Sequence, residues 1–339
     1  MLPTFAAIAL GSAAVTSLTV YLLLIAAAAY AGGSSIAFLS LGHRRMQVLL
    51  SITGGIMLGV GLLHLLPHAY FELSRQINLT MVWVLAGFFL MFLLERAFHG
   101  HAHHSADGSH AGHAHAHDGL GHEHGHAHEH EHRHAPQPST AGRSGPWAWC
   151  GAFAGLALHS LADGAALAAS VGADADHGAG PLAGFATFLA VVLHKPFDSG
   201  IIATLMINSN ASARTRRLAN AAYALIVPLG AVLFLASLRL YADNQGAVLG
   251  AALAMAAGAF LCIAAADLLP EVEFHSHDRL LLTASLTLGI AIAWGITVLE
   301  RSSHAHAAHA GQPVQKGSEN QKSSESQNGS AGPAAHVHP

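Results

Sequence analysis

Eight long apolar runs, nearly free of charge, set the limits on what this chain can fold into. A helix needs about 20 apolar residues to cross the hydrocarbon layer of a bilayer. Runs at roughly 17–41, 46–71, 80–98, 147–171, 182–207, 217–239, 247–271 and 279–299 meet that length. Inside hydrocarbon every backbone N–H and C=O must be paired within the chain, so such runs fold as helices. The first run begins near Phe5 and exceeds one crossing; tilt or an interfacial turn absorbs the excess. Only 10% of the residues are charged and 52% are hydrophobic, whereas a soluble domain carries about 25% charge. The expectation is an all-α, multi-pass integral membrane protein whose solvent is the lipid bilayer. The N-terminal run has no basic residue before Arg44 and no cleavage region, and reads as retained sequence, not a signal peptide. Cys150 and Cys262 lie in apolar stretches and read as small buried hydrophobes.

The basic residues orient the spans. Arg44, Arg45, Arg96, Arg133, Arg143, Arg214, Arg216, Arg217 and Arg279 fall in loops on one side, against Arg75 and Arg239 on the other and Arg301 past the last span. The positive-inside rule makes the first side cytoplasmic. Both termini then face out, in a plasma membrane or a bacterial inner membrane, and the loop at 99–145 faces the cytosol.

A repeat underlies this order. Residues 55–73, GIMLGVGLLHLLPHAYFEL, align with 258–276, GAFLCIAAADLLPEVEFHS, so that Gly, Leu, Leu-Leu-Pro and Phe coincide. One copy ends span two and the other ends span seven. An odd number of crossings separates them, so they run in opposite senses. This is an inverted repeat of three helices against three, flanking spans four and five in a 3+2+3 arrangement. Transporters use such repeats to place a site at the bilayer midplane.

Spans four and five carry the polar residues that point to chemistry. The first reads LALHSLADGAALAAS, with His159 and Asp163; the second reads VVLHKPFDSGII, with His194 and Asp198. Residues i and i+4 share a helix face, so each helix presents an imidazole and a carboxylate on one side. An aspartate at a helix centre costs about 2.5–3.5 kcal/mol to insert, and intramembrane acids mark ion pathways. Four N and O donors suit Zn²⁺, and also Fe²⁺, Mn²⁺ or Cd²⁺. Two further pairs sit in the repeat: His64 with His68 around Pro67, and Asp267 with Glu271 around Pro270. They read as entrance or relay ligands, or as interfacial polar residues beside a loosened helix end. Met57 offers a thioether or simply packs.

Lys195 is a cation among proposed cation ligands. Its ammonium either pairs with Asp163 or Asp198 where a second ion would otherwise sit, or exchanges a proton linked to transport. Pro196 frees the carbonyl of Val192 and opens span five beside its ligands. Gly164, Gly184, Gly200 and the Gly55-x-x-x-Gly59 pair allow close helix contacts.

Of 28 histidines, fifteen lie between His99 and His134. His113, His115, His117, His122, His124, His126, His128, His130, His132 and His134 alternate with Ala, Gly and Glu and show no apolar periodicity. The segment reads as disordered, a cytosolic buffer or sensor binding Zn²⁺, Ni²⁺ or Cu²⁺ weakly at many interchangeable places. The tail at 302–339 is polar and reads as disordered too.

With these features assembled, the chain resembles the ZIP (Zrt/Irt-like protein) metal transporters over about residues 17–299. The resemblance is carried by the eight spans with outside termini, the His-rich loop, HSLADG, HKPFDSG and the repeated H/D-L-L-P segments. It implies transport of a divalent metal into the cytosol, often by homodimers, by an elevator-like movement of one bundle past another. It implies no enzymatic activity and no nucleic-acid partner. The family's first-site ligands correspond to His159, Asp163, His194 and Asp198, with Met57 at a position some bacterial members use. Where two-metal members carry an Asn and an acid, this chain has Ser160 and Lys195, so the resemblance implies one transported ion at a time.

Two other classes share parts of this pattern. Cation-diffusion-facilitator exporters use paired His/Asp turns, but with six spans and a folded cytosolic domain. An intramembrane metal-dependent hydrolase needs an open coordination position and a water-activating group; no His-Glu-x-x-His occurs, and Lys195 is a poor neighbour for metal-bound hydroxide.

Overall fold

A computed structural model describes residues 11–35, 43–103, 148–176, 182–274 and 279–310. Side chains are further left undescribed at 43, 97–103, 148, 267–274 and 300–310. The described residues form helices and no strand. In chain order these are α1 (Ser12–Ser35), α2 (His43–Val60), a π-helical turn (Gly61–Leu65), α3 (Leu66–Glu72), α4 (Ile77–His103), α5 (Ala148–Asp176), α6 (Phe185–Asn208), α7 (Ala213–Ala224), α8 (Ile226–Leu240), α9 (Gln245–Phe274) and α10 (Arg279–Ala310). Among the described residues, eight stretches are long and apolar enough to cross a membrane. The second is α2 with its π turn and α3, the sixth is α7 with α8, and α5 and α6 are the fourth and fifth.

The first helix starts at Ser12, ahead of the 17–41 expected, so the excess apolar length extends it at its N-terminal side. At their far ends α4 continues to His103 and α10 to Ala310, past the expected edges at 98 and 299. Alanine, the best helix former, recurs through that part of α10.

Two prolines interrupt the spans where the site later needs them interrupted. Pro67 has no N–H to offer, and in the turn before it the Leu66 N–H donates to the Gly61 carbonyl, five residues back. That widened turn is a π-bulge, a form common at functional sites. Pro228 lies four residues after Ala224, and its ring leaves no room for that carbonyl in a regular helix. The sixth span breaks there into α7 and α8.

The packing obeys the inverted repeat. The closest helix pairs are α2 with α10, α4 with α9, α5 with α8, and α1 with α6. Exchanging span one with six, two with seven, three with eight and four with five turns the first pair into the second and the third into the fourth. Two repeat-equivalent glycines show the same exchange in atomic detail. A Cβ on Gly55 would overlap the Leu286 carbonyl of α10, and one on Gly258 the Val84 carbonyl of α4. Backbones approach closely at such small residues, which is how helices gain dispersion contact in lipid. The result is two bundles. One holds α1, α5, α6, α7 and α8; the other holds α2, α3, α4, α9 and α10. Exposed Leu85, Leu23, Val232, Trp294 and Leu299 coat the outside, as lipid-facing surfaces require.

Candidate metal centre

The first two candidate ligands come from one turn of α5 and the other two from one turn of α6. His159 and Asp163 are buried on α5, and His194 is buried on α6. The Nε2 atoms of His159 and His194 lie 3.3 Å apart. Asp163 Oδ2 is 3.2 Å from the first and 3.3 Å from the second. A tetrahedral zinc ion with bonds of about 2.0–2.1 Å has ligand atoms about 3.3–3.4 Å apart, so three edges of such a tetrahedron are already drawn. Asp198 stands further off: its Oδ2 is 3.7 Å from His159 Nε2 and 3.9 Å from His194 Nε2.

The second nitrogen of each ring sets what the first can do. His194 Nδ1 is 2.8 Å from the Ala190 carbonyl, so it carries the proton and donates it. In the neutral ring Nε2 carries the lone pair a metal needs, and it faces His159 Nε2 and Asp163 Oδ2. His159 Nδ1 is buried and finds no hydrogen-bond partner.

Lys195 and Tyr223 together hold Asp198 where it stands. The Lys195 side chain is fully buried. Its ammonium lies 2.5 Å from Asp163 Oδ2 and 2.8 Å from Asp198 Oδ2, and donates to Ser160 Oγ at 3.0 Å. All three protons are used. Ser160 in turn donates to the Tyr223 hydroxyl at 2.9 Å, and Tyr223 donates to Asp198 Oδ2 at 3.2 Å. The ammonium, two hydroxyls and a carboxylate thus close a ring of hydrogen bonds that holds Asp198 beside the lysine. A buried charge is tolerated when it is paired and its protons are satisfied, and both conditions are met here. Of the two sequence readings of Lys195, pairing with both aspartates is the geometry found.

Pro196 sits inside α6 between the ligands, and the Ser199 hydroxyl turns back to the carbonyls of Lys195 and Pro196, each at 3.1 Å. A cavity of about 470 Å³ opens below, lined by Tyr30, Ser199, Met206, Arg216, Asn220 and Tyr223 among others. It extends from Tyr223 and Ser199, beside the cluster, to Arg216 and Arg217. Met57 is fully buried in the main apolar core. Cys262 is buried, Cys150 half-buried, and both are free thiols.

A second cluster lies further along α5. His64, within the π turn, and His68, in α3, both direct Nε2 at Asp174, at 3.5 and 3.3 Å. The backbones of Asp267 and Glu271 belong to α9, but their side chains, like His113 to His134, lie outside the described residues.

Sequence reasoning passed over Tyr223 and Asp174. Asp174 follows Asp163 by eleven residues, three turns of α5 and so the same face, a signal the spacing did contain. Tyr223 had none beyond being a phenol in a span without acids.

Comparison with curated proteins finds no match. The described helices, the paired His/Asp turns of α5 and α6, and a match of the ZIP zinc transporter sequence family over residues 4–299 agree with one another. The chain belongs to the ZIP family of divalent-metal transporters, which are not enzymes.

Proposed function

We propose that this protein carries zinc into the cytosol, holding one ion at a time between His159, Asp163, His194 and Asp198. The observation that carries the reading is the triangle of His159 Nε2, His194 Nε2 and Asp163 Oδ2, with edges of 3.2 to 3.3 Å. Two imidazoles and carboxylate oxygen favour Zn²⁺ among available ions; Fe²⁺, Mn²⁺ and Cd²⁺ fit the same donors. The Arg-rich loops and the cavity ending at Arg216 and Arg217 support the direction, because positive loops mark the cytosolic side.

Charge accounting supports one ion. Two carboxylates and Lys195 leave the empty centre at −1, and a divalent ion brings it to +1. A second dication would raise it to +3 in a medium of low dielectric. The arriving ion takes Asp163 from the ammonium, and Lys195 reclaims it on release, so the carboxylates are never left bare. All four ligands belong to the bundle of α1, α5, α6, α7 and α8. Sliding that bundle past the other carries the ion without breaking its coordination. The His-rich loop buffers metal delivered to the cytosolic side.

Radioactive zinc uptake into proteoliposomes tests the reading. Wild type should show saturable flux, Asp163→Asn should lose it, and Asp198→Asn should retain a fraction, since Asp198 is the more distant ligand. No flux in wild type, or unchanged flux in both variants, would sink it.

A further inference from the structure

Asp174 is almost wholly buried, 1% exposed, in a helix that crosses lipid. One direct partner is clear: the Gly184 N–H donates to its Oδ2 at 2.7 Å. Gly184 takes φ 76 to do so, a left-handed conformation at the start of α6 that favours glycine. The other neighbours are imidazoles. His64 Nε2 lies 3.5 Å from Oδ2 and His68 Nε2 3.3 Å from Oδ1. Both exceed the usual 2.7–3.2 Å of an N–H···O bond; the His68 separation equals the ligand–ligand edge of a tetrahedral ion, about 3.3–3.4 Å, and the His64 separation, to the other carboxylate oxygen, is slightly longer.

Ser170 contacts His64 at the same Nε2 that faces Asp174, a contact that an ion would replace. His64 is buried and its Nε2 is 3.1 Å from Ser170 Oγ, which itself accepts from Thr187 Oγ1 at 2.8 Å. The two rings are 4.9 Å apart. The π turn sets His64, and the helix resumes so that His68 follows on the same side. His68 is 22% exposed and lies near the end of its span.

We infer that His64, His68 and Asp174 form a second divalent-cation site, separate from the transport centre and bridging the two bundles. It lies about 16 Å from Asp163 along α5, eleven residues at 1.5 Å each. His64 and His68 belong to the bundle of α2, α3, α4, α9 and α10, whereas Asp174 belongs to the other. An ion here ties the bundles together at the end opposite the Arg216 and Arg217 cavity, and so stabilises the arrangement in which that cavity is open. The transport ligands, all within one bundle, cannot do this. The inference stands on this cluster alone and does not depend on the transported ion.

Crystals of the full chain soaked in Cd²⁺ provide the test through anomalous scattering. The expected result is a peak within bonding distance of His64 Nε2, His68 Nε2 and Asp174, besides one at the transport centre. A transport-centre peak with none at Asp174 overturns the inference. In solution, the His159→Ala/His194→Ala variant should still gain thermal stability with Cd²⁺, and adding His68→Ala should abolish the gain. His68→Ala leaves the Gly184–Asp174 bond in place. An equal gain with and without His68 refutes the site. Because both transport-centre histidines are already removed, this outcome is independent of whether zinc is carried.

Discussion

Replacing Lys195 with methionine keeps the length of the side chain and deletes its charge. The ammonium lies 2.5 Å from Asp163 Oδ2, and a zinc ion bonds a carboxylate oxygen at about 2.0–2.2 Å. Ion and ammonium, if both stayed, would be separated by about 4 Å. Two unit charges at that distance repel by about 4 kcal/mol at an effective dielectric of 20, so a dication and an ammonium repel by about 8 kcal/mol. A lysine stem can retreat, and doubling the separation halves the figure to about 4 kcal/mol. Wild type therefore binds metal weaker than its donors allow, by up to about a thousandfold. Lys195→Met should tighten binding by about 10²- to 10³-fold, most of it through slower release. In proteoliposomes both KM and kcat should fall. Stability should split by ligation: without metal the variant loses a buried partner, worth about 3–5 kcal/mol, and bound Zn²⁺ restores it. The assays are zinc uptake at graded concentrations and thermal unfolding with and without Zn²⁺. Unchanged KM and kcat, or a raised KM with kcat preserved, would refute the view that Lys195 holds the place of a cation.

Other substitutions probe the supports of the centre. Tyr223→Phe removes the donor to Asp198 at 3.2 Å and the acceptor for Ser160 at 2.9 Å. It should lower stability by about 1–3 kcal/mol, the penalty of unmet buried polar groups, and Ser160→Ala/Tyr223→Phe should show less than the summed loss in chemical or thermal unfolding. Gly184→Ala places a side chain at φ 76 and against Val171. The left-handed backbone alone costs about 1–2 kcal/mol, so the melting temperature should drop even where Asp174 is untouched. Gly258→Leu forces α9 off the Val84 carbonyl and should reduce the yield of folded, monodisperse protein, as should Gly55→Leu at the repeat-equivalent contact with α10; normal yields for both would contradict the paired packing.

Much of this architecture was legible along the chain because lipid imposes simple rules. Apolar length gives helices, and the matching segments 55–73 and 258–276 give the inverted repeat. The helix pairings that satisfy the repeat were not legible: nothing in the local pattern of α2 says that it meets α10. Pro67 announced a loosened helix, but the π turn that buries His64 depends on packing against α9. Pro196 lies within α6 without breaking it, and the carbonyls around it are met by Ser199, which the proline alone does not announce. Tyr223 became part of the centre only because α7 carries its hydroxyl to Asp198 and Ser160.

The contrast between the two clusters has a physical origin. His159 with Asp163, and His194 with Asp198, each occupy a single helical turn, so a spacing of four residues suffices to find them. Both turns must also move as one piece if an ion is to stay coordinated while a bundle slides, and residues that move together are held by local structure. His64 and Asp174 are 110 residues apart by number and meet across the boundary between bundles. Their approach exists only while the bundles stand in this relative position. No periodicity within α2 or α5 can encode it, since each helix presents the same face whichever neighbour lies opposite. A carrier with sliding bundles thus writes its coordination chemistry into short motifs and its state-dependent contacts into tertiary packing. Of the two residues that sequence reasoning missed, Tyr223 travels with the bundle that holds Asp198, and Asp174 makes the contact whose geometry should change if the bundles slide.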